Sequence, residues 1–454
     1  MMDIIIVGAG KVGCALAYEL SKLKHNITVV DTNEQVLDTV SNHIDVNCIH
    51  GSGVNMEILL EAGAETADLI LSVTGNDELN IISSVIAARL GVKNTVVRVR
   101  SPEYTGEIAL LKQGLGISRI INPEHEAAVE ISLLLSLPVA NKIDAFANGR
   151  VQLVEYTAEK SDSITGKSLQ DVNLPKNFLI CGVKNSNDDF IIPTGSFVVR
   201  PGDTLYLSGT LISLNNFFKS IGHTSKRAKN IMIIGGSRMA IYLARMACKT
   251  GINVKLIERN AERSLHLTEL LEDCLIIRGD GTDEEILLSE DLKKMDAFIA
   301  LTDSDEENLL SAFYAKKQGV SKVIPKLNRQ SYLDLTEELK IESSVCPSLI
   351  TADHMFRYVK ALDNTKSDAM KKLYRVADGE AEAIEFIASE NSRVIGIPLK
   401  TLTIKKNLLV AAIVHEKEVI IPSGQSVIHP GDQVLIFSRH VHLTVLDDII
   451  NPLI

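Results

Sequence analysis

Residues 4–20 read IIIVGAGKVGCALAYEL, and this stretch decides the fold. Four β-favouring apolar residues come first, then glycines at 8, 10 and 13, then Val12, Ala15, Leu16, Leu20 and Leu23 at helical spacing. A strand that turns through G-x-G-x-x-G into a helix is a phosphate cradle. Gly8 permits the tight turn, Gly10 lets a pyrophosphate approach the backbone, and Gly13 lets helix and strand pack closely. The first-turn amides of the helix then point at the phosphates. Lys22, Lys24 and His25 sit near the helix's negative C-terminal end. Asp31 ends the next apolar run, 18 residues beyond Gly13, where a carboxylate accepts a ribose 2′-hydroxyl. No arginine follows Asp31 within the next few residues to receive a 2′-phosphate, so NAD or an adenine nucleotide is expected rather than NADP.

The same pattern returns later in the chain. NIMIIGGSRMAIYLARMACKTGINVKLIER, from Asn230, lies over DIIIVGAGKVGCALAYELSKLKHNITVVDT, from Asp3, at an offset of 227. The register holds to within one residue: Glu258 answers Asp31 at 227, and at 228 GDG at 279 answers GSG at 51 and LTDSDEEN at 301 answers VTGNDELN at 73, which pairs Thr302 with Thr74. In the second copy Gly235 and Gly236 are kept, Ala240 stands at the third glycine, and Ser237 and Arg238 fall where the first copy has Lys11 and Val12. The repeat continues through IIPTGSFVVRPGDTLYLSG and IIPSGQSVIHPGDQVLIFS, at an offset of 229. Strand-length runs (IIIV, ITVV, DLILSV, TVVRV) alternate with helical stretches in each larger part, whereas LICGVKN, DFIIP and DTLYLSG are short strands broken by Asn, Asp, Gly and Pro. The expected fold class is α/β, with two tandem Rossmann-like doubly wound parallel sheets, each followed by a small β-rich α+β module. The expected divisions are 1–145, 146–225, 230–369 and 370–454, with HTSKRAKN at 223–230 as the linker.

Composition removes other classes. There are 47 basic and 58 acidic residues, a net charge of -11 spread along 454 residues, which argues against nucleic acid as a partner. Six separated cysteines without a C-x-x-C pair suit reduced, buried thiols in a cytosolic protein and neither disulfides nor zinc. The longest apolar runs fall short of the ~20 residues that cross a bilayer. TGKSL at 165–169 has a serine, Ser161, where a P-loop needs its first glycine. His440 and His442 of RHVHL have no evident third ligand, so no metal site is expected, and DSDEEN at 303–308 reads as a helix start. Thr74 and Gly75 end the fourth strand, and Arg98, expected to contact phosphate, ends the fifth with Arg100 on the same face.

A dehydrogenase needs a substrate domain and a proton donor or acceptor beside the nicotinamide. Here each Rossmann part is followed only by a small module, and no histidine with an acidic partner recurs in both halves, so no catalytic residue is assigned. Duplicated nucleotide domains with attached modules suit a regulator. The alternatives are a soluble NAD-dependent oxidoreductase of unusual duplicated build and a scaffold whose Rossmann parts are relics.

IIIVGAGKVG, Asp31, VTGNDELN and RVRSPEY in the first half, with the PTGSFVVRPGDTLYLSG and PSGQSVIHPGDQVLIFS module endings, resemble the TrkA family of potassium-uptake subunits. That family is built of two tandem RCK (KTN) units. The resemblance implies a cytoplasmic peripheral protein that forms a homo-oligomeric ring, a tetramer, beneath a Trk-type potassium-conducting membrane subunit. It implies that the ring gates this partner according to bound NAD(H) or ATP/ADP and catalyses no reaction. It places the first nucleotide site at Gly8, Ala9, Gly10, Lys11, Val12, Gly13, Asp31, Gly51, Ser52, Thr74, Gly75 and Arg98. The second falls at Gly235, Gly236, Ser237, Arg238, Glu258, Gly279, Asp280 and Thr302. Ser52, where the family often has aspartate, and Ala240 depart from its pattern.

Overall fold

The computed structural model describes residues 1–101, 114–187, 189–223, 227–363, 370–441 and 443–451. Residues 102–104 of RVRSPEY, 224–226 of the linker, 364–369 beside the last expected boundary, and His442 lie outside them.

The opening stretch folds as its pattern predicts. β1 (Asp3–Val7) runs into α1 (Lys11–Ser21), followed by β2 (Asn26–Asp31), α2 (Glu34–His43), β3 (Asn47–His50), α3 (Met56–Glu61), β4 (Leu69–Ser72), α4 (Asp77–Leu90), β5 (Asn94–Arg98), β6 (Arg119–Ile121) and α5 (Pro123–Ser136). The described strands pair in parallel in the order β3-β2-β1-β4-β5-β6. Ile4, Ile5, Ile6 and Val7 are all buried, as a strand covered on both faces requires. α1 buries Val12, Leu16 and Leu20, but Ala15 and Leu23 are only half-buried. The helix stops at Ser21 because Lys24 takes a left-handed φ of 60°, so Leu23 falls past its end.

The first module comprises β7 (Lys142–Phe146), β8 (Val151–Thr157), β9 (Phe178–Lys184), β10 (Phe190–Ile191), β11 (Thr204–Gly209) and α6 (Leu211–Ser220), in an antiparallel sheet ordered β10-β9-β11-β8-β7.

The second Rossmann part repeats the first: β12 (Asn230–Ile234), α7 (Arg238–Lys249), β13 (Asn253–Glu258), α8 (Ala261–Leu270), β14 (Leu275–Arg278), α9 (Glu284–Ser289), β15 (Ala297–Ala300), α10 (Asp305–Lys317), β16 (Lys322–Pro325), α11 (Gln330–Glu338) and α12 (Pro347–Asp363). Its sheet order is β14-β13-β12-β15-β16. DSDEEN does open a helix: Ser304 caps α10 by accepting the Glu307 amide at 3.1 Å.

The second module has β17 (Met370–Val376), β18 (Ala381–Ile387), β19 (Leu408–His415), β20 (Glu418–Ile420) and β21 (Gln433–Arg439) in the order β17-β18-β21-β19-β20. Where the first module has α6, the described residues of the second have a single 3-10 turn at Leu446–Ile449.

Contacts gather the four lengths into two units: residues 1–132 with 228–359, and residues 133–227 with 360–454. Like therefore packs on like. In the second unit Phe146, Phe190 and Tyr206 of one module share a core with Ala383, Ala411 and Phe437 of the other, and the Phe190 and Phe437 rings stack at 5.7 Å.

The cysteines correct one expectation. Cys181 and Cys346 are buried, whereas the other four are only half-buried. Cys248 and Cys274, 26 residues apart, bring their sulfurs to 3.0 Å, because the end of α7 packs beside the approach to β14.

Candidate functional site

β1 and β4 are neighbours in the first sheet although two strands separate them in sequence, so the crevice beyond their carboxyl ends is the sheet's switch point. A cleft of about 570 Å³ opens there. Of the expected residues, Gly8, Gly10, Lys11, Val12, Asp31, Gly51, Ser52, Thr74, Gly75 and Arg98 line it. Ala9 and Gly13 do not; they lie behind it and build it. A Cβ on Gly13 would stand 1.8 Å from the Gly8 carbonyl oxygen, and one on Gly8, at φ +104°, would meet the Thr74 amide nitrogen at 2.9 Å. Around Gly10 a Cβ would meet nothing within 4 Å, so the turn is open on the side a phosphate needs. As the N-cap of α1, Gly10 also offers no side-chain acceptor to the first-turn amides, which stay available to an anion.

Asp31 already holds the turn together. One carboxylate oxygen accepts the Ala9 amide at 2.6 Å and the other accepts the Asn33 amide at 2.8 Å. Each oxygen keeps a lone pair for a sugar hydroxyl. The end of β4 is tied to the end of β5 by Asn80, which is fully buried. Its side-chain oxygen accepts the Thr74 amide and hydroxyl at 2.8 and 2.7 Å, and its NH2 donates to the Arg98 carbonyl at 3.0 Å.

The two arginines behave differently. Arg100 is engaged by its neighbours: its backbone amide and Nε donate to Asp77, at 2.8 and 3.4 Å, and its guanidinium donates to the Gly75 carbonyl. Arg98 reaches the Val73 carbonyl at 3.3 Å, and its Nε is buried without a partner among the described residues. Burial, and then the positive charge of Arg100, push its pKa below the ordinary arginine value. A half-buried cation with a buried, unpartnered N–H at the mouth of an amide cradle fits a phosphate, which would balance the charge and supply the hydrogen bond.

The cleft has a second wall that the motif gave no hint of. Lys326, Asn328, Ser348 and Thr351, all from the second Rossmann part, line it together with Gly53 and Glu124. The repeat held the signal for two of these. At the offset of 228, Lys326 answers Arg98 and Asn328 answers Arg100, and Asn308 ties to the Lys326 carbonyl at 2.9 Å as Asn80 ties to that of Arg98.

The second cleft, of about 510 Å³, is lined by Gly235, Gly236, Ser237, Arg238, Glu258, Asp280 and Thr302; Gly279 does not line it. The structure corrects one correspondence. With α1 and α7 aligned, Ser237 stands at the place of Gly10 and Arg238 at that of Lys11, not at Lys11 and Val12. Ser237 is consequently the N-cap, and its hydroxyl accepts the Ala240 amide at 3.3 Å. Glu258 repeats the work of Asp31 by accepting the Gly236 and Asn260 amides at 2.6 and 2.7 Å. Sequence reading missed Arg259 and Arg263, which also line this cleft; Arg263 donates to the Gly236 carbonyl at 2.9 Å. Arg100, Glu124 and Lys326 face both clefts.

Comparison with known proteins agrees with this double construction. The TrkA-N domain family matches residues 4–123 and again 231–347, and the TrkA-C domain family matches 153–222 and 383–449. The chain belongs to the TrkA family. Among its relatives are the Trk system potassium uptake protein TrkA homolog 1 of Methanosarcina mazei, 33% identical over 96% of this chain and 97% of the relative. Another is the Trk system potassium uptake protein TrkA homolog of Archaeoglobus fulgidus, 31% identical over 99% and 100%. In fold, this TrkA-family chain is similar to the GsuK channel bound to NAD, with a TM-score of 0.63 and 16% identity over 97% of this chain and 77% of that one. Among the described residues no helix is long and apolar enough to cross a membrane.

Proposed function

We propose that this TrkA-family chain is a cytoplasmic nucleotide-sensing subunit that regulates potassium uptake through a Trk-type membrane partner. One observation carries the reading: the first cleft is walled by both Rossmann parts. Gly10, Asp31 and Arg98 come from one part and Lys326, Asn328, Ser348 and Thr351 from the other. A nucleotide held there touches both, so its binding free energy depends on how the parts are arranged, which is what a ligand must do to shift a conformational equilibrium. Coupling of roughly 1–3 kcal/mol per site suffices for a graded switch, and several sites in one assembly would steepen it.

In this reading the first cleft takes NAD(H) or ATP/ADP. The Gly8, Gly10 and Gly13 turn and the α1 amides hold phosphate, Asp31 takes the ribose hydroxyls, and Arg98 completes the phosphate shell. Gly51 and Ser52 face the same ligand. The second cleft is a further nucleotide site, held by Gly235, Gly236, Ser237, Arg238, Glu258, Asp280 and Thr302. The chain divides at 1–145, 146–225, 230–369 and 370–454, assembles as a homotetrameric ring, and lies on the inner membrane face through its partner. It binds nucleotide without transforming it.

The test is calorimetry of the whole chain with NAD+, NADH, ATP and ADP, beside potassium uptake. Asp31→Ala removes the acceptor for a buried amide and for the ribose, so nucleotide affinity is expected to fall roughly 10- to 100-fold. Uptake in that variant should no longer respond to nucleotide. A normal uptake response would refute the site, and steady consumption of NADH with a carbonyl substrate would refute the sensor.

A further inference from the structure

The modules contain a cluster that the nucleotide reading does not use. Both carry the same tight turn before their last strand. In the first, the carboxylate of Asp203 accepts the Arg200 amide at 2.8 Å, and Gly202 and Asp203 bond back to Ala158. In the second, Asp432 accepts the His429 amide at 2.8 Å, and Gly431 and Asp432 bond to Ala388 in the same way. Both aspartates are about 1% exposed. The turn therefore has one construction in both copies and works in the first with Arg200 in the place of His429. The first copy likewise has Asn185, just past β9, where the second has His415 at the end of β19.

The second copy adds two imidazoles to this carboxylate. His415 Nδ1 lies 2.6 Å from Asp432 Oδ1, and His429 Nδ1 lies 3.7 Å from Oδ2. The ring centroids are 5.1 Å apart, and both side chains are about half exposed, 45% and 55%. One donor atom from each residue falls within 4.8 Å of the other two. Donors about 2.1 Å from a tetrahedral ion stand roughly 3.4 Å apart. The three donors lie within 4.8 Å of one another, so no pair has to close by more than about 1.4 Å to reach that spacing, and the half-exposed rings have room to turn. Asp432 is held in place by its turn, where Oδ2 accepts the His429 amide.

We propose that His415, His429 and Asp432 form a binding site for a divalent transition metal of the zinc class, with water completing the coordination. Two imidazole nitrogens and one carboxylate suit such an ion, while calcium and magnesium prefer all-oxygen shells. The open outer side leaves room for water ligands. The proposal is independent of the nucleotide clefts, and its test does not involve them.

The experiment is zinc titration of the whole metal-free chain by calorimetry, with thermal unfolding measured with and without zinc. His415→Ala and His429→Ala are compared with the parent, and Asp432 is left intact because its turn needs it. The expected result is one site whose affinity falls at least tenfold in each variant, unchanged by excess magnesium or calcium. Zinc should raise the melting midpoint of the parent and of neither variant. His223→Ala, in the separate Glu159, Asp162 and His223 cluster, should leave this site unchanged. Equal zinc affinity in parent and both variants, no zinc binding, or displacement by calcium at equal concentration would each overturn the proposal.

Discussion

The two nucleotide clefts come from one repeated stretch and have diverged at two small positions. In the first, a glycine at the N-cap of α1 leaves the helix amides open, and a second glycine, Gly13, lets α1 press onto the Gly8 carbonyl. In the second, Ser237 covers the amide of Ala240 with its own hydroxyl, and Ala240 puts a methyl where Gly13 has none. The first cleft is thus a cradle that needs a ligand to complete it, and the second partly completes itself. The cations proper to each cleft differ as well: Lys11 and Arg98 line the first and Arg238, Arg259 and Arg263 the second, while Arg100 and Lys326 face both. The first cleft therefore offers open helix amides, and the second a capped helix end with three arginines of its own.

The largest effect is expected from making the first cleft like the second. In Gly13→Ala the new methyl cannot stay 1.8 Å from the Gly8 oxygen, so α1 must lift off β1 and carry its amides with it. NADH affinity at the first cleft should fall roughly 100-fold, about 2.8 kcal/mol, and stability should drop by about 1–3 kcal/mol. Calorimetry and thermal melting of the full chain measure both. Binding like that of the parent would show that close packing at Gly13 is dispensable, as it is at Ala240.

A second divergence sits on the sheets. At the start of β5 Asn94 donates to the Asp68 carbonyl at 3.1 Å, whereas the corresponding residue of β16 is Lys322, only 3% exposed. Its ammonium donates to the Ser343 hydroxyl at 2.6 Å, and burial lowers its pKa from 10.5 to about 7. Between those values the unfolded chain holds a proton that the folded chain has released, so this residue makes stability rise as pH goes from about 7 towards 10.5. Lys322→Met should remove that slope, and its gain in stability over the parent should be larger at pH 7 than at pH 10.5. Denaturant unfolding at a series of pH values checks it. An unchanged slope would mean that the lysine stays solvated.

Divergence of this kind marks the limit of what the sequence discloses. The strand, turn and helix at residues 4–20 were legible because local sterics alone demand glycine there, and the repeat was legible because one register spans both halves. Residues that act through short range, such as Gly8, Asp31 and Thr74, could be named from spacing. Ser348 and Thr351 could not, because they reach the first cleft only through packing between halves more than 200 residues apart, and the repeat marks Lys326 and Asn328 only as counterparts of Arg98 and Arg100. The same holds for the paired sulfurs of Cys248 and Cys274, and for the imidazoles that converge on Asp432 from a strand end and a turn. The strand end marks Arg98 in the sequence, but the unpartnered buried Nε that suits it to an anion exists only in the fold.

The smallest expected effect sharpens the comparison most, because it makes the second cleft like the first at one atom. Ser237→Gly removes the hydroxyl that now accepts the Ala240 amide at 3.3 Å. Glycine is a tolerable N-cap, so stability should fall by only a few tenths of a kcal/mol, roughly 0.3. The freed amide joins the positive end of α7, which favours an anion by about 0.3–1 kcal/mol. ADP affinity at the second cleft should therefore rise about two- to fivefold. Calorimetry in the Gly13→Ala background isolates it, since the first cleft is then silenced. If affinity falls instead, the Ser237 hydroxyl is itself a phosphate donor, and the self-capped state seen here is a resting arrangement that ligand displaces. Either sign assigns the divergence at this position to phosphate recognition, and an unchanged affinity would place the phosphates on Arg238, Arg259 and Arg263, away from the helix end.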